Sequence, residues 1–121
     1  MRNRVRDLRV WNYDDAREQL NGQGGRVVCL NTRLEENDDG TVSVILHATR
    51  IVTYHPDGRV TLNSGGWQTH TTKDRINRCL PPGMSVYQES YRWKVRIEGK
   101  ADGPTTVADF YDNMTIGGNG R

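Results

Sequence analysis

Between Arg26 and Asn63 apolar residues tend to recur at every second position, and clusters of turn-forming residues cut the stretch into short pieces. That pattern demands strands joined by hairpins, because a parallel crossover needs a dozen or more connecting residues. A strand begins at Val27-Val28-Cys29-Leu30, and Glu35-Glu36-Asn37-Asp38-Asp39-Gly40 reads as an acidic turn. Thr41 to Ala48 forms the next strand, with Val42, Val44 and Leu46 on one face. Ile51 to His55 follows, then the strong turn Pro56-Asp57-Gly58 and a strand over Arg59 to Asn63. The expectation is an antiparallel β meander.

Helical signals flank this meander. Asp14 to Leu20 reads as a short helix, capped by Asn12 or Asp14 and stopped at Asn21-Gly22. Thr71 to Leu80 is the clearest helix, with capping-box spacing between Thr71 and Asp74 and a firm end at Pro81-Pro82-Gly83. Ile76, Cys79 and Leu80 share one side and should face the sheet, while Asp74 and Arg78 are spaced to pair. Further strands are expected near Met84–Tyr87 and Tyr91–Glu98, joined through Gln88-Glu89-Ser90. In the second, Tyr91, Trp93, Val95 and Ile97 alternate with Arg92, Lys94, Arg96 and Glu98. Ala101-Asp102-Gly103-Pro104 reads as a turn, and Thr105 to Ile116 as a strand or hairpin. The fold class is α+β: a mainly antiparallel meander with a short N-terminal helix and one capped helix, about 71–80, packed on the sheet.

The 121 residues fit one domain, 1–121, with a partly disordered basic arm over 1–12 and a flexible tail over 117–121. Hydrophobic residues make up only 34%, so three Trp and five Tyr must supply much of the bulk. A core that lean is expected to be completed by self-association, and a homo-oligomer is the default form. The net charge of +2 excludes a generic polycation. No apolar run is long enough to cross a bilayer, so no membrane role is expected. Cys29 and Cys79 lie far apart and lack a CxxC partner, which suits two buried thiols in a reducing cytoplasm.

One polar segment, Thr61 to Arg78, carries the densest candidate chemistry. Gly65 and Gly66 allow close backbone approach to a ligand, Trp67 offers a face for stacking, and Thr71, Thr72 and Lys73 sit at a helix start that favours an anion. Arg75 and Arg78 follow within two turns. Together they predict a site for a nucleotide or other phosphate-bearing ligand. The segment lacks GxxxxGK[ST], so NTP hydrolysis is not implied. The structural alternative is a tight turn, a cap, a core aromatic and a solvated basic face.

A second candidate is the basic face of Arg92, Lys94 and Arg96, which can follow a nucleic-acid backbone. A charged solvent face on an edge strand is the favoured account of it. His47, His55 and His70 show no metal-ligand spacing, so no metal and no cofactor is expected. His70 beside a phosphate is the single residue an enzymatic reading can name; the chain is read as not an enzyme. The acidic run Glu35 to Asp39 lacks EF-hand spacing and reads as a solvated hairpin tip.

The strings Leu46-His47-Ala48-Thr49-Arg50-Ile51-Val52-Thr53-Tyr54 and Asp57-Gly58-Arg59-Val60-Thr61-Leu62-Asn63-Ser64-Gly65-Gly66-Trp67-Gln68-Thr69, with Thr71-Thr72-Lys73-Asp74-Arg75-Ile76-Asn77, resemble a group of small proteins of tailed bacteriophages, including those of actinobacteria. The resemblance spans about Tyr13 to Trp93, and SGGWxTxTTKxRIN is its specific core. It implies phage origin and a life in the host cytoplasm, and it carries over no catalytic residue. By analogy with phage proteins that sequester nucleotide signals of host immunity, the expected function is a non-enzymatic accessory protein binding such a ligand. Two alternatives stand beside it: a DNA- or RNA-binding accessory protein, and an inhibitor docking on a host protein through Trp67, Tyr91 and Trp93.

Overall fold

A computed structural model describes residues 4–99 and 103–117. Five strands run as an antiparallel meander: β1 (Gly25–Cys29), β2 (Thr32–Glu36), β3 (Val42–Leu46), β4 (Thr49–Tyr54) and β5 (Val60–Leu62). A late strand, β9 (Met114–Ile116), adds antiparallel to β5 and completes a six-stranded sheet. A second sheet orders β6 (Met84–Glu89), β7 (Arg92–Ile97) and β8 (Thr106–Asp109), again antiparallel. The architecture is α+β, dominated by the meander, as the period-two pattern predicts.

Two helices cover the inner face of the large sheet. Helix α1 (Tyr13–Leu20) contacts β2 and β3, and α2 (His70–Arg78) contacts β4 and β6. Asn12 caps α1 by accepting the Asp15 N–H at 2.8 Å, and Asn21 ends it in the left-handed region. Ile76, Cys79 and Leu80 bury the inward side of α2 and the turn after it, beside Val52, Tyr54 and Leu62 of the sheet. The same cluster takes in Val86, Trp93, Val95 and Phe110, so the two sheets share one core. Burying each of these larger side chains is worth about 1.5–3 kcal/mol. Tyr54 is fully buried, and its hydroxyl donates to the carbonyls of Val10 and Cys79.

Several boundaries differ from the sequence reading. The basic arm is not loose in its described part: Leu8 and Val10 are core residues, and the Val10 N–H donates to the Arg78 carbonyl at 3.3 Å. Where one strand is expected after Arg26 there are two, because Leu30-Asn31 forms a tight turn with Asn31 at φ +54°. The acidic turn therefore loses Glu35 and Glu36 to β2 and keeps Asn37 to Gly40. Tyr91 does not stand beside Trp93 on the apolar face. Ser90 and Tyr91 are the two-residue tip of the β6–β7 hairpin, and Tyr91 is 94% exposed. Strand β7 is central rather than an edge. The strand or hairpin expected over Thr105–Ile116 is instead two strands in different sheets. The first half of the turn at 101–104 and all but the first residue of the tail at 117–121 lie outside the described residues.

Candidate functional site

A cleft of about 450 Å³ opens between the β3–β4 hairpin and the segment leading into α2. Its apolar wall is Leu46, Ala48, Ile51 and Trp67, and its polar groups are His47, Thr49, Ser64, Thr69, Thr71 and Thr72. Its size and its mix of apolar surface with a few converging hydroxyls are those of small-ligand sites. Trp67 is 66% exposed, an indole face that the core leaves unused.

Local irregularities in the chain build this cleft. In the β3–β4 pairing Val44 faces Val52 and Ile45 faces Arg50, which leaves Ile51 as an extra, bulged residue. Ile51 and Val52, neighbours in the chain, are both fully buried in the core, and Ile51 also reaches the cleft wall, a re-aiming of side chains that an inserted strand residue allows. His47 at the hairpin tip has φ +56°, an uncommon conformation for a non-glycine residue. Its N–H donates to the Asn31 carbonyl at 2.9 Å, which fixes the tip against the neighbouring hairpin.

The opposite wall is a hydrogen-bonded loop. Asp112 accepts from both the N–H and the hydroxyl of Ser64, each at 2.8 Å. The Gly65 N–H donates to the Asn63 side chain at 2.9 Å, and the Gly66 N–H to the Ser64 hydroxyl at 3.2 Å. Both glycine amides are thereby bonded within the loop rather than left open to a ligand. These glycines serve geometry instead. Both have positive φ, and a Cβ on Gly65 would sit 2.7 Å from the Thr49 hydroxyl.

Thr69, not Thr71, is the N-cap of α2: its hydroxyl accepts the Thr72 N–H at 3.2 Å, and its carbonyl accepts from Lys73. The N–H groups of His70 and Thr71 have no acceptor among the described residues. Asp74 takes no part in capping. It pairs with Arg75 at 2.8 Å and with Arg78 at 3.0 Å, the latter as the four-residue spacing predicts.

Of the predicted ligand residues, Trp67, Thr71 and Thr72 line the cleft. Gly65 and Gly66 shape its wall, and Lys73 lies in the first turn of α2. Arg75 and Arg78 are engaged by Asp74 and do not line it. On β7, Lys94 pairs with Asp109 at 2.7 Å and Arg96 with Glu98 at 3.8 Å, while Arg92 has no ion pair among the described residues. The Lys94 contact holds the Asp109 carboxyl below its ordinary range and raises the ammonium. His47, Thr49 and Ser64 were missed as cleft residues. His47 and Thr49 lie within the resembling strings, but nothing in strand periodicity marks a hairpin tip as a wall. His70 is exposed and outside the cleft, and the His55 ring bonds the Thr61 hydroxyl at 2.8 Å on the outer sheet face.

Residues 22–117 match the Kyanoviridae Gp96 protein family, which takes in both sheets, α2 and the whole cleft. The chain belongs to that family. It is therefore a bacteriophage protein, as the resemblance implies. No curated protein and no solved structure matches it. No helix among the described residues is long and apolar enough to cross a membrane.

Proposed function

We propose that this family member is a non-enzymatic phage accessory protein that binds a nucleotide in the Trp67 cleft and sequesters it from the host, as a countermeasure to nucleotide-signalled defence. The observation that carries the reading is the convergence, in one cleft, of an exposed indole, several hydroxyls and the start of α2. A base stacks on Trp67 and hydrogen-bonds to the threonine hydroxyls and to His47. The phosphate meets the N–H groups of His70 and Thr71 and the ammonium of Lys73, where the helix dipole also favours negative charge. Arg75 and Arg78 play no part in it. A binding role fits the lining better than catalysis does. His47 is the one titratable side chain there among the described residues, so no acid–base pair faces the cleft.

Thermal unfolding against a panel of mononucleotides, cyclic dinucleotides and cyclic trinucleotides tests this. A ligand at a hundred times its Kd adds about 2.7 kcal/mol, a shift of several degrees for a domain of this size. Trp67→Ala should abolish the shift and leave the unfolding of the free protein unchanged within about 0.5 kcal/mol, because the side chain is mostly exposed. No shift with any nucleotide would overturn the proposal.

A further inference from the structure

The hairpin tip beside the cleft carries a conformation its residues resist. Glu89 pairs with Arg92, so Ser90 and Tyr91 alone make the turn, with φ +52° and +68°. Two consecutive left-handed residues are what Asn-Gly supplies at no steric cost, and a bulky aromatic is a poor occupant of such a position. The strained Tyr91 also covers no apolar neighbour: it is 94% exposed. Packing therefore does not explain its presence at the tip.

What lies around it points to a ligand. Tyr91 and Arg92 border a hollow with Gln68, Trp93, Asp109 and Phe110. Trp67 lines the cleft and Gln68, the next residue, lines this hollow, so the two meet along one short stretch of chain. Exposed Trp67 and exposed Tyr91 thus belong to adjoining hollows. The charges select the same place. Outside the N-terminal arm and β1, Lys73 and Arg92 are the cations without an ion pair among the described residues; the rest grip carboxylates. Glu89 faces Arg92 in register, and Asp109 in the hollow is neutralised by Lys94. Arg92 lies in the same hollow as Tyr91, and Lys73 in the first turn of the helix whose start lines the cleft. With two aromatics whose faces are open, these are the parts of a stacking track for successive bases with contacts for the phosphates between them.

We infer that the cleft also accepts one unit of a single-stranded nucleic acid, whose neighbouring base stacks on Tyr91 and whose backbone passes Lys73 and Arg92. This rests on the nucleotide reading of the cleft and extends it. Fluorescence anisotropy with a labelled thymidine dodecamer tests it, run beside a mononucleotide and a duplex of equal length. The single strand should bind at least tenfold tighter than either. Its salt dependence should be shallow, with a log–log slope of about −1.4 for two phosphate contacts at about 0.7 each.

Tyr91→Gly is the decisive variant, since glycine relieves the turn and should fold at least as stably as the parent. It should weaken single-strand binding roughly tenfold, the effect of losing one stacked base, and leave mononucleotide binding as it was. Tyr91→Trp should retain the affinity. Arg92→Ala should lower the slope by about 0.7. Equal affinity for the mononucleotide and the single strand, or Tyr91→Gly without effect, would overturn the inference and leave the cleft reading standing. Failure of both ligands to bind would remove both.

Discussion

The two ends of α2 share one helix and have opposite chemistry. At the N-terminal end Thr69, His70 and Thr71 are exposed, hydroxyls face a cleft and Trp67 is open to solvent. At the other end Ile76, Cys79 and Leu80 are sealed in the core, Tyr54 bonds the Cys79 carbonyl, and Arg75 and Arg78 close on Asp74. A linear reading of Thr61–Arg78 makes a single basic pocket of them. An arginine's value to a ligand therefore depends on whether a carboxylate beside it or one turn away already holds it. Here Asp74 removes two cations from the site and uses them to close the dry end.

If the C-terminal end is dry, alkaline pH should expose it most strongly. Burial pushes the Cys79 thiol from its ordinary 9.0 up to about 12, with Cys29 adding to the effect, and burial raises the Tyr54 phenol well above 10.0. Both groups are acids whose folded pKa lies above the unfolded one. Between those values the unfolded chain releases protons that the native state keeps, so stability is intact below pH 9 and falls as pH rises through the window. The expected slope is about 1.4 kcal/mol per pH unit for each group, starting near pH 9 with Cys79 and steepening near pH 10 with Tyr54. Urea midpoints from pH 8 to 11 measure it, and Cys79→Ala should delay the onset by about one unit. A profile flat to pH 11 would break the comparison, since the dry end would then be open to water.

The arginine clasp gives the next largest effect. Asp74→Ala strands the Arg75 side chain, which is 12% exposed, and frees Arg78, at a cost of about 2–3 kcal/mol, below that of a fully buried pair because Asp74 keeps some access to water. Arg75→Met should lie within about 1 kcal/mol of the parent. The buried Arg75 Nε has no acceptor among the described residues, so its loss offsets part of the lost pair. Arg75→Met should also leave nucleotide affinity unchanged. Weaker binding at unchanged stability would return Arg75 to the site and erase the contrast between the two ends.

Much of the fold is legible in the chain, and what is not has a consistent cause. Val42, Val44 and Leu46 announce β3 through their period, Asn12 and Asn21 bracket α1, and Ile76, Cys79 and Leu80 mark the buried side of α2. These follow from local rules that act within a few residues. The turns at Leu30-Asn31 and His47-Ala48 escape, and the one expected at Gln88-Glu89-Ser90 shifts to Ser90-Tyr91, because none contains glycine or proline and residues of each are held at positive φ. The bulge at Ile51 escapes because it is a property of two strands together. Trp67, Thr71 and Thr72 are legible as cleft residues. Thr49 and Ser64 are not, since a bulge and a distant carboxylate, Asp112, bring them in. The fate of Arg75 was half visible: Asp74 and Arg78 stand four apart, but side-chain direction alone decides that Arg75 joins them.

The smallest expected effect separates two adjacent glycines and probes the open end. Gly65 and Gly66 both lie in the left-handed region, at φ +64° and +83°. Alanine at either position costs about 1 kcal/mol or somewhat more in backbone conformation. At Gly66 nothing stands within 4 Å of the new Cβ, so that is the whole cost. At Gly65 the methyl would lie 2.7 Å from Thr49 Oγ1 and 2.8 Å from Thr49 Cγ2, and Thr49 is too short and too stiff at χ1 to swing clear. Gly65→Ala should therefore cost about 2 kcal/mol in all, and it should push Thr49 into the cleft and weaken nucleotide binding, which Gly66→Ala leaves alone. The double variant Gly65→Ala/Thr49→Ala should recover the steric part and keep the backbone part, leaving it level with Gly66→Ala. Denaturant midpoints of the four proteins decide it. Equal losses for the two single variants would mean that the wall yields there, and the open end of α2 would then be a pliable loop rather than a preformed cleft.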